Sequence, residues 1–147
     1  MILLVHLVFG AAIGASIRNA PLAIVLAFLS HYFLDTIPHI EYPVSVHNKR
    51  LKRIYPDGFK IIADFLAGLF IVALFSGNQP IIYVCGFAAI IPDIIFALTH
   101  ITLNKIFQIH EKIHDKIHFL HNKKISIFWR ILSQAVVVVI SIILLSS

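Results

Sequence analysis

Five long apolar runs, residues 2–17, 21–38, 58–76, 80–103 and 125–146, take up most of this 147-residue chain and restrict what it can fold into. A helix crossing the hydrocarbon core of a bilayer needs about 20 such residues, and most of the runs approach that length. In lipid, each span must satisfy its own backbone hydrogen bonds, which selects helices. With 59% of residues hydrophobic and only 13% charged, the chain has too few polar side chains to cover a soluble surface. The expected fold is therefore all-α: one integral membrane domain, residues 1–147, built as a bundle of about five transmembrane helices.

The first run is the shortest. It has no basic segment before it, so it reads as a helix of the mature chain rather than a signal peptide, despite small residues at Ala11-Ala12 and Ala15-Ser16. Gly10 and Gly14 form a GxxxG pair, which lets a short helix pack closely against a neighbour. Because only Arg18-Asn19 separates the first two runs, a re-entrant hairpin is the competing topology. The basic residues divide sharply among the connections. Lys49, Arg50, Lys52 and Arg53 fall within 39–57, and Lys105, Lys112, Lys116, Lys123 and Lys124 fall within 104–124, whereas Gly77-Asn78-Gln79 has none. Five spans put both basic loops and the N-terminus on one side, which the positive-inside rule makes cytoplasmic. The same rule accounts for the net charge of +5 without a nucleic-acid partner, and membrane lipids are the partners expected. Cys85 is the single cysteine, which excludes an intrachain disulfide.

Residues 104–121, NKIFQIHEKIHDKIHFLH, are too polar to span. Ile106, Ile109, Ile113, Ile117 and Leu120 recur at intervals of three and four, the signature of an amphipathic helix lying on the membrane. His110, His114, His118 and His121 follow one residue behind the last four of these apolar positions and form an adjacent stripe. His110-Glu111-Lys112-Ile113-His114 matches HExxH, in which two His hold zinc and the Glu activates water. With His repeated this often an HxxxH is unavoidable, so the preferred reading makes His110 and His114 ligands of a site completed by carboxylates inside the membrane. A pH-sensitive interfacial helix without metal is the alternative.

Ionisable groups in apolar spans are costly and either pair or mark a functional path. The five-span topology gathers His6, His31, Asp35, Asp64, Asp93 and His100 at the same end of the bundle. His31 and Asp35, four residues apart, share one helix face and can bind one metal ion, or the Asp can orient the His that does. His39, beyond Pro38, is expected to be solvated at the interface. Asp64 and Asp93 lack charged sequence neighbours, so each needs a proton, a cation or a metal. Pro92 should kink the fourth run and free the carbonyl of residue 88.

The His in HLVFGAAIG, the Pro92-Asp93 pair and the HEKIHDKIH segment before a final span together resemble the inner-membrane-associated metal-dependent hydrolases, small bacterial multi-span proteins. The resemblance implies His6, Asp93, His110 and His114 as metal-binding positions, with His31 and Asp35 in LSHYFLDTIPH as additions. Where the family pattern has a second acidic residue after Pro-Asp, this chain has Ile94-Ile95. Where it has Thr-His-Ser, this chain has Ile113-His114-Asp115, so Asp35, Asp64 or Asp115 would have to compensate. The expected function is a metal-dependent hydrolase at the cytoplasmic face of the bacterial inner membrane, acting on a lipid or phosphoester substrate. His6, His31, Asp93, His110 and His114 would hold a divalent ion such as zinc, and Asp35 or Asp64 would serve as general base or ligand orienter. A small ion- or proton-translocating protein and a non-catalytic membrane scaffold are the competing functions. The basic loops would attract lipid phosphates under any of the three.

Overall fold

The computed structural model describes residues 1–40, 54–77, 79–99 and 125–147, together with positions 109, 110, 112, 116 and 117. Five helices organise these residues: α1 Leu3–Ser16, α2 Ala20–Asp35, α3 Ile54–Phe75, α4 Pro80–Thr99 and α5 Ile127–Leu145. Among the described residues there is no strand. The windows Gly58–Phe75, Pro80–Leu98 and Ile127–Leu145 are long and apolar enough to cross a membrane, whereas α1 and α2 are shorter apolar helices. The bulk of the His-rich segment, including His114, Glu111, His118 and His121, lies outside the described residues, as does His100.

The second apolar run extends to Pro38, but α2 stops at Asp35. Ile37 precedes a proline and is biased out of the helical region by the proline ring. The Ile37 N–H bonds instead to the Leu34 carbonyl, closing the last turn at 3.0 Å. At its other end, the Asn19 side chain caps α2 by accepting the Leu22 N–H at 3.1 Å, and Pro21 sits in the first turn. α1 and α2 thus make a tight helical hairpin about Ile17-Arg18-Asn19. The α3–α4 turn uses Gly77 at φ +57°, a left-handed conformation in which a side chain would be strained.

α1 is the axis of the bundle and packs against all four other helices. Its 14 residues measure about 21 Å, short of the roughly 30 Å hydrocarbon core. Much of its surface meets protein rather than lipid, so its length need not match the bilayer. A Cβ at Gly10 would lie 2.4 Å from the Ala89 Cβ, and one at Gly14 would lie 2.9 Å from the Cys85 Cβ. The GxxxG pair therefore seats α1 directly on α4, as the sequence implied. Leu7, Val8, Ala11 and Ala12 complete a core with Val72, Ile82, Ile90 and Leu145. The opposite faces of the outer helices expose Phe33, Phe59, Phe70, Phe128 and Trp129, each more than half accessible. An apolar exterior of this kind suits lipid and would be an aggregation hazard in water.

Candidate metal centre

The N-terminal end of α1, the C-terminal end of α2 and the C-terminal half of α4 converge, and each brings ionisable side chains. Asp35 is their hub. Its Oδ1 accepts from the Met1 amino group at 2.7 Å, lies 3.1 Å from His6 Nε2 and lies 3.9 Å from His39 Nε2. Its Oδ2 is 3.0 Å from His31 Nε2. The His31–Asp35 proximity is the i, i+4 relation expected from the sequence. His39 departs from expectation: it is buried, at 6% exposure, rather than solvated. Once α2 ends at Asp35, the chain turns back through Ile37-Pro38, and this return carries His39 towards the carboxylate.

His31 is oriented by α4. Its Nδ1 is 2.9 Å from the carbonyl of Ala89, which can only accept, so Nδ1 carries the proton. The polar backbone partner is thus Ala89, one residue on from the carbonyl that Pro92 was expected to free. His31 Nε2 then faces Asp35 at 3.0 Å and Asp93 Oδ1 at 3.6 Å. A proton on Nε2 or a cation shared with the two carboxylates would satisfy this arrangement. The His6 and His31 rings stack at 4.1 Å between centroids and 25° between planes. Two stacked imidazolium ions would repel each other at that separation. One shared cation suits the pair better than two protons.

His6 gives a second sign. Its Nδ1 and Nε2 are both buried and make no aligned hydrogen bond with a described residue, although Nε2 is close to Asp35. Buried polar atoms are nearly always satisfied, so such a His calls for a ligand. His6, His31 and Asp93 each offer one ligand atom, and these atoms all lie within 4.8 Å of one another. Two His and one carboxylate form a donor set suited to zinc, one that leaves a coordination position for substrate or water. The His6, His31 and Asp35 side chains are fully enclosed, whereas the Asp93 side chain is 25% exposed, so access is from the Asp93 side.

The remaining expected site residues lie apart. Asp64 Oδ2 accepts the backbone N–H of Leu4 at 2.9 Å and is not one of the three clustered ligands. His110 Nε2 is 3.0 Å from the Tyr32 hydroxyl, one residue from His31. Burial, followed by the nearby His31, pushes His110 below the ordinary His range, against the opposing pull of Asp93. A neutral His110 can accept the Tyr32 O–H. The Met1 amino group, the Ala89 carbonyl and Tyr32 carried no signal as site groups, because each enters through tertiary packing. No protein-family model, curated protein or solved structure matches this chain.

Proposed function

We propose that the protein is a membrane-embedded metal-dependent hydrolase whose site opens at the cytoplasmic face of a bacterial inner membrane. The observation that carries the reading is the convergence of His6, His31 and Asp93 from three helices. A divalent ion held by these residues would supply Lewis acidity, polarising an ester or phosphoester oxygen and acidifying water. The Ala89 carbonyl holds the His31 imidazole from behind through Nδ1, a role that backbone carbonyls commonly play beside ligating His, and Asp35 faces Nε2 of both His31 and His6 on the side where the ion would sit. Asp93 marks the entry, and His110, resting on Tyr32, stands near it. A site at the end of a lipid-facing bundle suits a lipid or lipid-linked substrate. Ion translocation finds less support, because the buried side chains that α1, α2 and α4 place beyond the cluster are apolar, among them Leu7, Val8, Ala11, Ala27 and Cys85.

The test is elemental analysis of protein purified in mild detergent without a metal-affinity tag. The parent should hold about one divalent ion per chain, and His31→Ala and Asp93→Ala should lose it while keeping their helical content. The loaded parent should then hydrolyse members of a panel of lipid esters and phosphoesters, and the two variants should not. A folded parent that takes up no zinc, manganese or magnesium would overturn the reading.

A further inference from the structure

We infer that Asp64 is a positioning residue, which sets His6 for the metal ion by gripping the first turn of α1 from the neighbouring helix. The inference rests on the metal-binding reading above. The first turn of α1 lies among apolar side chains, and its N-cap, Ile2, has no side chain that can accept a hydrogen bond. Helix N-termini leave several N–H groups without intrahelical partners, and in an apolar setting each one is costly. The Val5 N–H reaches the Ile2 carbonyl at 3.1 Å. The Leu4 N–H is taken by Asp64 Oδ2 at 2.9 Å, across the α1–α3 interface. A carboxylate there also faces the positive end of the α1 dipole.

A second feature of α3 points to the same spot. Gly68 lies four residues beyond Asp64, hence on the same face of α3, and a Cβ added to it would lie 3.2 Å from the Leu4 Cα. Asp64 and Gly68 thus form one seat for Leu4: the first fixes its N–H and the second admits its backbone. Leu4 and His6 share a turn, so this seat sets both the rotation and the depth at which His6 meets His31. Ligand sets tolerate only about 0.5 Å of misplacement, which makes a seat of this kind matter for affinity. Asp64 therefore acts on the ion through the α1 backbone, with no contact of its own.

The experiment is a zinc titration by calorimetry of the full chain in lipid nanodiscs, comparing the parent with Asp64→Asn and Asp64→Leu. Asn keeps an acceptor oxygen at the same reach and is expected to bind zinc within about threefold of the parent. Leu removes the acceptor and should weaken binding about tenfold or more, the usual scale for losing a group that orients a ligand, while the metal-free protein keeps its helical content and melts a few degrees lower, the cost of an unpaired Leu4 N–H. Should Asp64→Leu not fold, Gly68→Val replaces it, since it disturbs the seat while leaving the carboxylate in place, and the same loss is expected. Parental zinc affinity in the Leu variant, or in Gly68→Val where that stands in, would overturn the inference. So would an Asn variant as weak as Leu, because the charge would then be acting rather than the bond. A parent that binds no zinc overturns the metal-binding reading and this inference together, and is distinguished by flat titrations throughout.

Discussion

Asp35 has close electrostatic neighbours on three sides, and its replacement separates charge from geometry. Asp35→Asn keeps an acceptor for one His, whereas Asp35→Leu leaves His6 and His31 facing an apolar group. Breaking a buried ion pair on one side typically costs about 3–5 kcal/mol, so the Leu variant should lose roughly that much against unfolding in SDS, and the Asn variant distinctly less. Parental stability in both variants would mean that the carboxylate holds nothing in place. Tyr32 gives a second test at this scale. Tyr32→Phe removes only the hydroxyl that meets His110 at 3.0 Å. Amide exchange around positions 109–112 should quicken severalfold, while exchange in α2 is unchanged. The sequence revealed part of this site directly. His31 and Asp35 were legible through their helical spacing, and Asp93 through the cost of a carboxylate in an apolar run. The role of Asp64 was not, because its partner is a backbone N–H on another helix and leaves no trace in local spacing. His39 was misread because a single-residue view cannot foresee the chain turning back after Asp35.

Hydropathy located each helix to within a few residues. It could not tell that α1 is the enclosed axis, since an apolar run looks the same whether protein or lipid surrounds it. The GxxxG pair was the sequence's one pointer to that role, and it has a sharp consequence. Gly10→Ala places a methyl 2.4 Å from the Ala89 Cβ, with the Cys85 carbonyl 2.7 Å away, so α1 and α4 must separate. Overpacking of this kind costs about 1–3 kcal/mol, which should appear as a lower melting temperature in detergent. Because Ala89 also orients His31, the same variant should bind zinc more weakly. Gly58→Ala is the matched control. A Cβ there meets nothing within 4 Å, and Ala is the better helix former, so α3 should be unchanged or gain about 0.5–1 kcal/mol. If both variants melted alike, the close α1–α4 contact would not be what holds the bundle.

Across the whole molecule, the question with functional weight is which face of the membrane the site opens towards. The hydrogen bonds that join Leu4 to Asp64, Ser133 to Pro38 and Gln134 to Ile40 bring the start of α1 and the first halves of α3 and α5 to the end of the bundle where α2 finishes. The His and Asp cluster lies at that end, and the basic stretches 39–57 and 104–124 lead away from it in the sequence. Retention of Lys and Arg on the cytoplasmic side then predicts that the cluster faces the cytoplasm and the C-terminus faces outward. Two cysteine variants test this, Ser147→Cys and Ser45→Cys, with the parent as blank because Cys85 is fully buried. A membrane-impermeant maleimide should label Ser147→Cys in intact cells, and Ser45→Cys only after permeabilisation. The reverse pattern would place the His and Asp cluster on the outer face. The site would then draw on the lipids and metal ions of that compartment, and a hydrolase acting on cytoplasmic-leaflet lipid would no longer be tenable even if the metal centre proved real.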